Sequence, residues 1–122
     1  MRRWATGLLL AALLTGAALA VEPLGPFDAG TTVTLRVGQS MTIVLERSTT
    51  EAAQWLWPHQ PDYLLAHRLA ALQTDEARGR IVETHVFTAL TPGADIVFAE
   101  KVSDGDPTEV IARYIVTVQV EP

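Results

Sequence analysis

The chain alternates apolar and polar residues over several short stretches that are separated by turn residues. The stretches 31–37 and 41–45 each place an aliphatic or methionine side chain at every second position. Period-two alternation predicts a β-strand with one buried face. The stretch 54–57 predicts a third short strand. Pro58 and Pro61 are expected to interrupt it, because proline cannot donate a hydrogen bond to a strand ladder.

The C-terminal half of the chain shows the same alternation. It predicts strands over 81–90, 95–102 and 109–120, and each run is bounded by Gly, Pro, Asp or Ser. Turns are predicted at 91–94, which contains Pro-Gly, and at 103–107, which contains Asp-Gly. The residues expected to share a face are Glu83, His85, Phe87 and Ala89 in the first of these strands, and Tyr114, Val116, Val118 and Val120 in the last.

The segment 62–73 has an ambiguous pattern. Leu65, Leu69 and Leu72 have helical spacing, and Asp62 could cap a helix. Every second residue from Tyr63 onwards is also apolar or histidine, which favours a strand. The neighbouring segments supply no helix to pack against it, so we interpret the segment as a strand.

Short strands with turn signals at intervals of about ten residues predict a particular fold class. We expect an all-β protein, namely an immunoglobulin-like antiparallel β-sandwich of six to eight strands. The domain is predicted to span 31–122.

The first 30 residues have a different composition. A positive start, the apolar run 8–14 and the small residues 18–20 predict a cleavable secretory signal peptide over 1–20, followed by a linker over 21–30. A retained membrane anchor is the alternative, but the apolar run is short for a membrane span. We therefore expect a secreted or periplasmic protein with no membrane span after cleavage. The chain has no cysteine, so its stability must come from core packing.

Charge and chemistry narrow the possible functions. The net charge of −5 argues against binding to nucleic acid, which requires clustered Lys and Arg. His59, His67 and His85 are spread along the chain with no close pair, so we expect no metal site. There is no Gly-x-Ser-x-Gly elbow and no phosphate-binding glycine loop. We expect no cofactor and no enzymatic activity.

Recognition of another protein by loops then becomes the leading hypothesis. Three polar loops, at 48–53, 74–80 and 103–107, would follow strand ends, where loops of a sandwich form a joint surface. The alternative is that they are plain connections. Trp55 and Trp57 lie on one side of an extended chain, and one or both are expected to anchor the first loop to the core.

Four stretches of the chain resemble the chagasin family, the immunoglobulin-like inhibitors of papain-type cysteine peptidases. Residues 37–45 look like the family's first hairpin, and 87–93 like its strand and turn before the last hairpin. Residues 48–55 stand where the family has Asn-Pro-Thr-Thr-Gly, two further residues and Trp. Residues 114–120 are similar to its closing strand.

The resemblance implies that three loops wedge reversibly into a peptidase cleft. The first loop enters the active site and the other two clamp its flanks. Carried onto this chain, the resemblance places the first loop at 48–52, the second at 77–80 and the third at 101–106. The implied binding residues of the first loop are Ser48, Thr49, Thr50, Glu51 and Ala52. Those of the second are Arg78, Gly79 and Arg80, and those of the third are Ser103 and Asp104.

The loops depart from the family pattern. The first loop lacks the asparagine, proline and glycine and carries Glu51 instead, so a flexible or different loop is expected. The second keeps one glycine, Gly79, and the third has no Arg-Pro-Trp. We expect a monomeric inhibitor of papain-type cysteine peptidases. The alternatives are a non-inhibitory immunoglobulin-like binding or structural module of the cell envelope and, third, a ligand-carrying or enzymatic domain.

Overall fold

The computed structural model describes residues 24–25 and 29–122. The predicted signal peptide, 1–20, and residues 21–23 and 26–28 of the predicted linker lie outside these residues. The described part of the chain forms seven strands and no helix, so no helix there could span a membrane. The strands are β1 (Thr32–Arg36), β2 (Ser40–Ser48), β3 (Ala53–His59), β4 (Leu65–Asp75), β5 (Arg80–Ala89), β6 (Gly93–Ser103) and β7 (Asp106–Glu121).

The strands form two sheets, which confirms the predicted sandwich. One sheet has four strands in the order β1-β7-β6-β3, and the other has three in the order β2-β5-β4. All pairs are antiparallel except one, because β1 runs parallel to β7 from Thr32 opposite Thr117 to Arg36 opposite Glu121. The predicted antiparallel sandwich thus carries one parallel pair, at this edge of the four-stranded sheet.

The predicted inward faces are the observed core. In β5, His85, Phe87 and Ala89 are buried, and in β7 every second residue from Tyr114 to Val120 is buried. Trp55 and Trp57 are partly buried and pack against this core. Burial of each large apolar side chain stabilises the fold by roughly 1.5–3 kcal/mol, so the alternation itself supplies the force that closes the sandwich.

The segment with the ambiguous pattern is a strand, as predicted, and β4 shows why it looked helical. Leu69 pairs with His85, whereas Leu72 pairs with Glu83, and the register shifts between Leu69 and Ala71. This bulge inserts one extra residue. Two leucines three positions apart therefore reach the same face of a strand, a spacing that a regular strand does not allow.

Pro58 does not end β3, so the predicted interruption there is wrong. The strand continues to His59, with a register shift between Leu56 and His59. Because β3 is an edge strand, a residue without a backbone N–H is tolerated at such an irregularity.

Two of the described residues of the predicted linker pair with the domain, since the Gly30 N–H donates to the carbonyl of Ile115 at 2.6 Å and Leu24 pairs with β2. The backbone N–H of Leu24 donates to the carbonyl of Thr42 at 2.7 Å, and the N–H of Val44 donates to the carbonyl of Leu24 at 2.8 Å. Leu24 also packs against the core cluster.

Candidate protein-binding site

Three loops meet at one end of the sandwich. The first joins β2 to β3, the second β4 to β5, and the third β6 to β7. The N–H of Thr49 in the first loop donates to the carbonyl of Gly79 in the second at 2.9 Å. The N–H of Asp104 in the third donates to the carbonyl of Ala52 in the first, also at 2.9 Å. The first loop is therefore hydrogen-bonded on both sides and occupies the centre of this end.

Short hydroxyl side chains close the tip of the first loop. The Ser48 Oγ lies 2.9 Å from the Thr50 Oγ1 and accepts from the Thr50 N–H at 3.2 Å. The Glu51 N–H donates to the Ser48 carbonyl at 3.2 Å. Ser and Thr favour such local side-chain to backbone bonds over a regular ladder. Thr49 and Thr50 remain exposed at the tip.

Glu51 turns inward and holds the loop to β6. Its Oε1 accepts from the Lys101 Nζ at 3.0 Å and from the Ser48 N–H at 3.3 Å. The hydrogen bond from Lys101 lowers the pKa of the Glu51 carboxyl, against an opposing effect of burial. The charge that looked foreign to the loop in the sequence thus replaces the conformational restriction that proline and glycine would provide.

Trp55 anchors the base of the first loop. Its ring packs against the core cluster, and its Nε1–H donates to the Glu46 carbonyl on β2 at 3.1 Å. The Lys101 Nζ lies 5.8 Å from the ring centroid, within the range of a cation–π contact. One aromatic side chain therefore ties together the two strands that flank the loop.

The second loop needs its glycine. Gly79 has a φ of +64°, in the left-handed region. Arg78 pairs with the Asp75 carboxylate at 3.2 Å while most of its side chain is exposed. Arg80 donates to Glu46 at 3.0 Å, which links the second loop to the strand before the first.

A shallow open cleft of about 450 Å³ runs between the first and second loops. Both carboxylates that line it belong to ion pairs, Glu46 with Arg80 and Glu51 with Lys101. Its lining residues are Glu46, Arg47, Ser48, Glu51, Arg78, Gly79, Arg80 and Lys101. No cysteine is present anywhere in the chain to act as a nucleophile, and the cleft offers hydrogen-bonding groups and charges. These hydrogen-bonding and charged groups suit the cleft to binding another molecule.

The structure brings most of the predicted site residues together. Ser48, Glu51, Arg78, Gly79 and Arg80 line the cleft, whereas Thr49 and Ala52 make the two inter-loop bonds and Thr50 stands at the tip. Asp104 joins the first loop through its backbone. Ser103 instead ends β6, opposite Ala53 of β3. Glu46 and Arg47 are not among the predicted site residues, because they lie between the predicted strand, which ends at 45, and the first loop, which the resemblance places at 48–52.

Two of the three histidines, although far apart in the sequence, lie close together in the structure. The His67 Nε2 lies 2.9 Å from the His85 Nδ1, and the His85 Nε2 lies 2.9 Å from the Glu83 Oε1. Strands β4 and β5 bring together two residues that are eighteen positions apart. Within residues 24–25 and 29–122, no group of three or more His, Asp or Glu side chains is placed to hold a metal ion.

No protein-family model and no curated protein sequence matches the chain. Solved structures do match. The cysteine protease inhibitor EhICP2 from Entamoeba histolytica superposes with a TM-score of 0.74 at 10% identity, over 88% of this chain and all of that one. Amebosin gives 0.66 at 15% identity, over 81% of this chain and 96% of that one.

A third structure, PbICP-C in complex with falcipain-2, gives a TM-score of 0.59 at 15% identity and covers 87% of this chain and all of that one. Likeness at such low identity is evidence of fold. The resemblance to chagasin-type inhibitors that the sequence suggests is thus confirmed in the three-dimensional fold: the chain is an all-β, immunoglobulin-like domain with the architecture of known cysteine protease inhibitors.

Proposed function

We propose that this protein is a secreted or periplasmic inhibitor of papain-type cysteine peptidases, and that it acts by reversible insertion of the first loop into the active-site cleft. The observation that carries the proposal is the bonded arrangement of three loops at one end, with the first loop central. The similarity to the cysteine protease inhibitor EhICP2 and to PbICP-C, which was solved in complex with falcipain-2, supports an inhibitory role.

The mechanism follows from loop geometry. Thr49 and Thr50 project at the tip, while Glu51 and Trp55 hold the loop from below through Lys101, Glu46 and the core. A loop that is ordered before binding loses little conformational entropy on binding, which favours affinity without any covalent step. The protein would bind as a monomer and need no cofactor.

Titration of the purified protein against papain and a cathepsin L-type peptidase tests the proposal. We expect reversible inhibition that competes with substrate. Thr50→Trp should weaken inhibition at least about tenfold, because a bulky side chain at the tip alters the fit of a central interface residue. The same substitution should leave the melting temperature unchanged, because Thr50 is exposed. Thr34→Trp, at an exposed position on β1 that pairs with the far end of β7, is the matched control.

The second candidate is a non-inhibitory immunoglobulin-like module of the cell envelope. Its support is the altered loop chemistry, since the third loop presents Ser103 and Asp104 with no aromatic or arginine anchor. Absence of inhibition of both peptidases at micromolar concentrations would favour this candidate over the inhibitor.

A further inference from the structure

A chain of polar contacts runs beneath the loop end, within the sandwich. It begins at His67 on β4, passes to His85 and Glu83 on β5, and reaches Arg47 on β2, whose Nε lies 3.6 Å from the Glu83 Oε2. His85 is almost fully buried and His67 is half-buried. Arg47 directly precedes Ser48, the first residue of the central loop. Three strands are thus connected through one series of titratable side chains.

Aromatic rings fix the two imidazoles. Phe87 stacks on His67 with ring centroids 4.3 Å apart and planes 9° apart. Trp57 meets both imidazoles edge-on at 4.9 Å. The rings therefore have little freedom to rotate away from each other while the strands stay packed.

The hydrogen-bond geometry limits how many protons the pair can hold. Glu83 is a carboxylate acceptor, so the His85 Nε2–H donates to it and the His85 Nδ1 is left as an acceptor for the His67 Nε2–H. One added proton can bind the His67 Nδ1 and leave both bonds intact. A second proton would have to bind the His85 Nδ1. Two N–H groups and two positive charges would then face each other across 2.9 Å.

We propose that the His67–His85 pair is an acid-sensitive switch, which holds β4 against β5 when it is neutral and separates them when both rings are protonated. Through Glu83 and Arg47, the same event would disturb the strand that leads into the central loop. The proposal is independent of peptidase inhibition, because it concerns the sandwich itself.

The surrounding charges support this direction. Burial lowers the pKa of His67, the charge of His85 lowers it further, and Asp62 in the turn before β4 acts in the opposite sense. Glu83 on β5 and Arg47 on β2 complete the charged groups that face the pair, and β3 contributes the uncharged ring of Trp57. The first proton, on His67, already costs stability although it leaves both bonds intact, because the folded-state pKa of His67 lies below the ordinary 6.5. This stability is fully present above that pH. It is lost as the pH falls from there through the folded pKa.

Thermal unfolding of the purified protein between about pH 7.5 and about pH 5 tests the switch, with His67→Phe as the variant. Phenylalanine keeps the stacking on Phe87 but cannot be protonated. We expect the melting temperature of the wild type to fall by at least about 5 °C more than that of the variant over this range. His59→Phe, which removes a largely exposed histidine bound to Asp95, is the matched control and should follow the wild type.

Nuclear magnetic resonance of the wild type gives a second readout that does not depend on the variant. We expect His67 and His85 to carry their protons on Nε2 near pH 7.5. We also expect amide protection in β4, relative to the intrinsic exchange rate at each pH, to fall in acid before that in β1. Parallel melting profiles of wild type and His67→Phe would overturn the proposal. The proposal would also be overturned if the pKa of His67 were at its ordinary value and the amide protection of β4 did not change in acid. This second measurement decides the matter if the variant does not fold.

Discussion

Glu51 and Lys101 provide the sharpest test of how the central loop is held. We predict that the two side chains are energetically coupled, so that replacing both costs less than the sum of the single replacements. Both are mostly buried, with 26% of the Glu51 side chain and 16% of the Lys101 side chain exposed, and the Nζ–Oε1 distance is 3.0 Å. Exposed ion pairs contribute about 0–1 kcal/mol, and hydrogen bonds to charged groups about 1.5–3 kcal/mol. A mostly buried pair that still touches solvent should lie between them, at about 1–2 kcal/mol.

A double-mutant cycle measures this coupling. Glu51→Ala, Lys101→Ala and the double variant are compared by urea and thermal unfolding, where 1 kcal/mol corresponds to about 4–8 °C in melting temperature for a domain of this size. Glu51→Gln separates the two contributions of the carboxylate. The amide oxygen can still accept from the Ser48 N–H, whereas the charge opposite Lys101 is lost.

The Glu100–Arg113 pair is a matched control. Its Nε–Oε2 distance is also 3.0 Å, but 59% of the Arg113 side chain is exposed, so its coupling should stay below about 0.5 kcal/mol. A coupling for Glu51 and Lys101 that is no larger than this control would refute the reasoning. The loop would then owe its shape to the backbone bonds with Gly79 and Asp104, to the Ser48 and Thr50 hydroxyls and to Trp55.

Three other predictions concern the base, the second loop and pH. Trp55→Ala should destabilise the fold by about 3–5 kcal/mol in urea unfolding. Trp55→Phe should cost about 1 kcal/mol for the lost hydrogen bond to the Glu46 carbonyl, plus a packing loss smaller than that of Trp55→Ala. Equal destabilisation by the two substitutions would show that the Trp55 ring does not anchor the core. Gly79→Ala should cost about 1 kcal/mol because of the positive φ, whereas Gly105→Ala, which has open space and no positive φ, should change the melting temperature little. The stabilisation by Glu51 is present above its ordinary pKa of 4.5 and is lost as pH falls through its lowered folded pKa, so the difference in melting temperature between wild type and Glu51→Gln should shrink as the pH falls below 4.5.

Alternation in the sequence was sufficient to predict the strands and the inward faces, because one sandwich layer buries one side of each strand. It could not give β4 a clear assignment, since the bulge at Ala70 shifts the alternation and produces helical spacing. It also misjudged Pro58, because the edge position of β3 depends on how distant strands pair. The parallel pairing of β1 with β7 is likewise a property of the whole sheet.

The sequence was sufficient to predict which loops form the site, but not most of the contacts between their side chains. The positions of the three loops follow from strand ends, but the inward turn of Glu51 depends on Lys101, fifty residues away. The histidine pair was missed for a similar reason. His67 and His85 each fell on a predicted inward face, and the signal that could have joined them was the expected pairing of two neighbouring strands.

The parallel pairing of β1 with β7 has a consequence for synthesis of the protein. The edge strand β1 has β7 as its sheet neighbour, and it pairs there with residues 117–121 of a 122-residue chain. While the ribosome still holds residues 117–121, β1 has no partner and the four-stranded sheet cannot be completed. Closing such a distant contact is also the slow part of folding a β-protein. The domain therefore stays incompletely folded until residues 117–121 have left the ribosome, and removal of these five residues would leave β1 without its partner in the sheet.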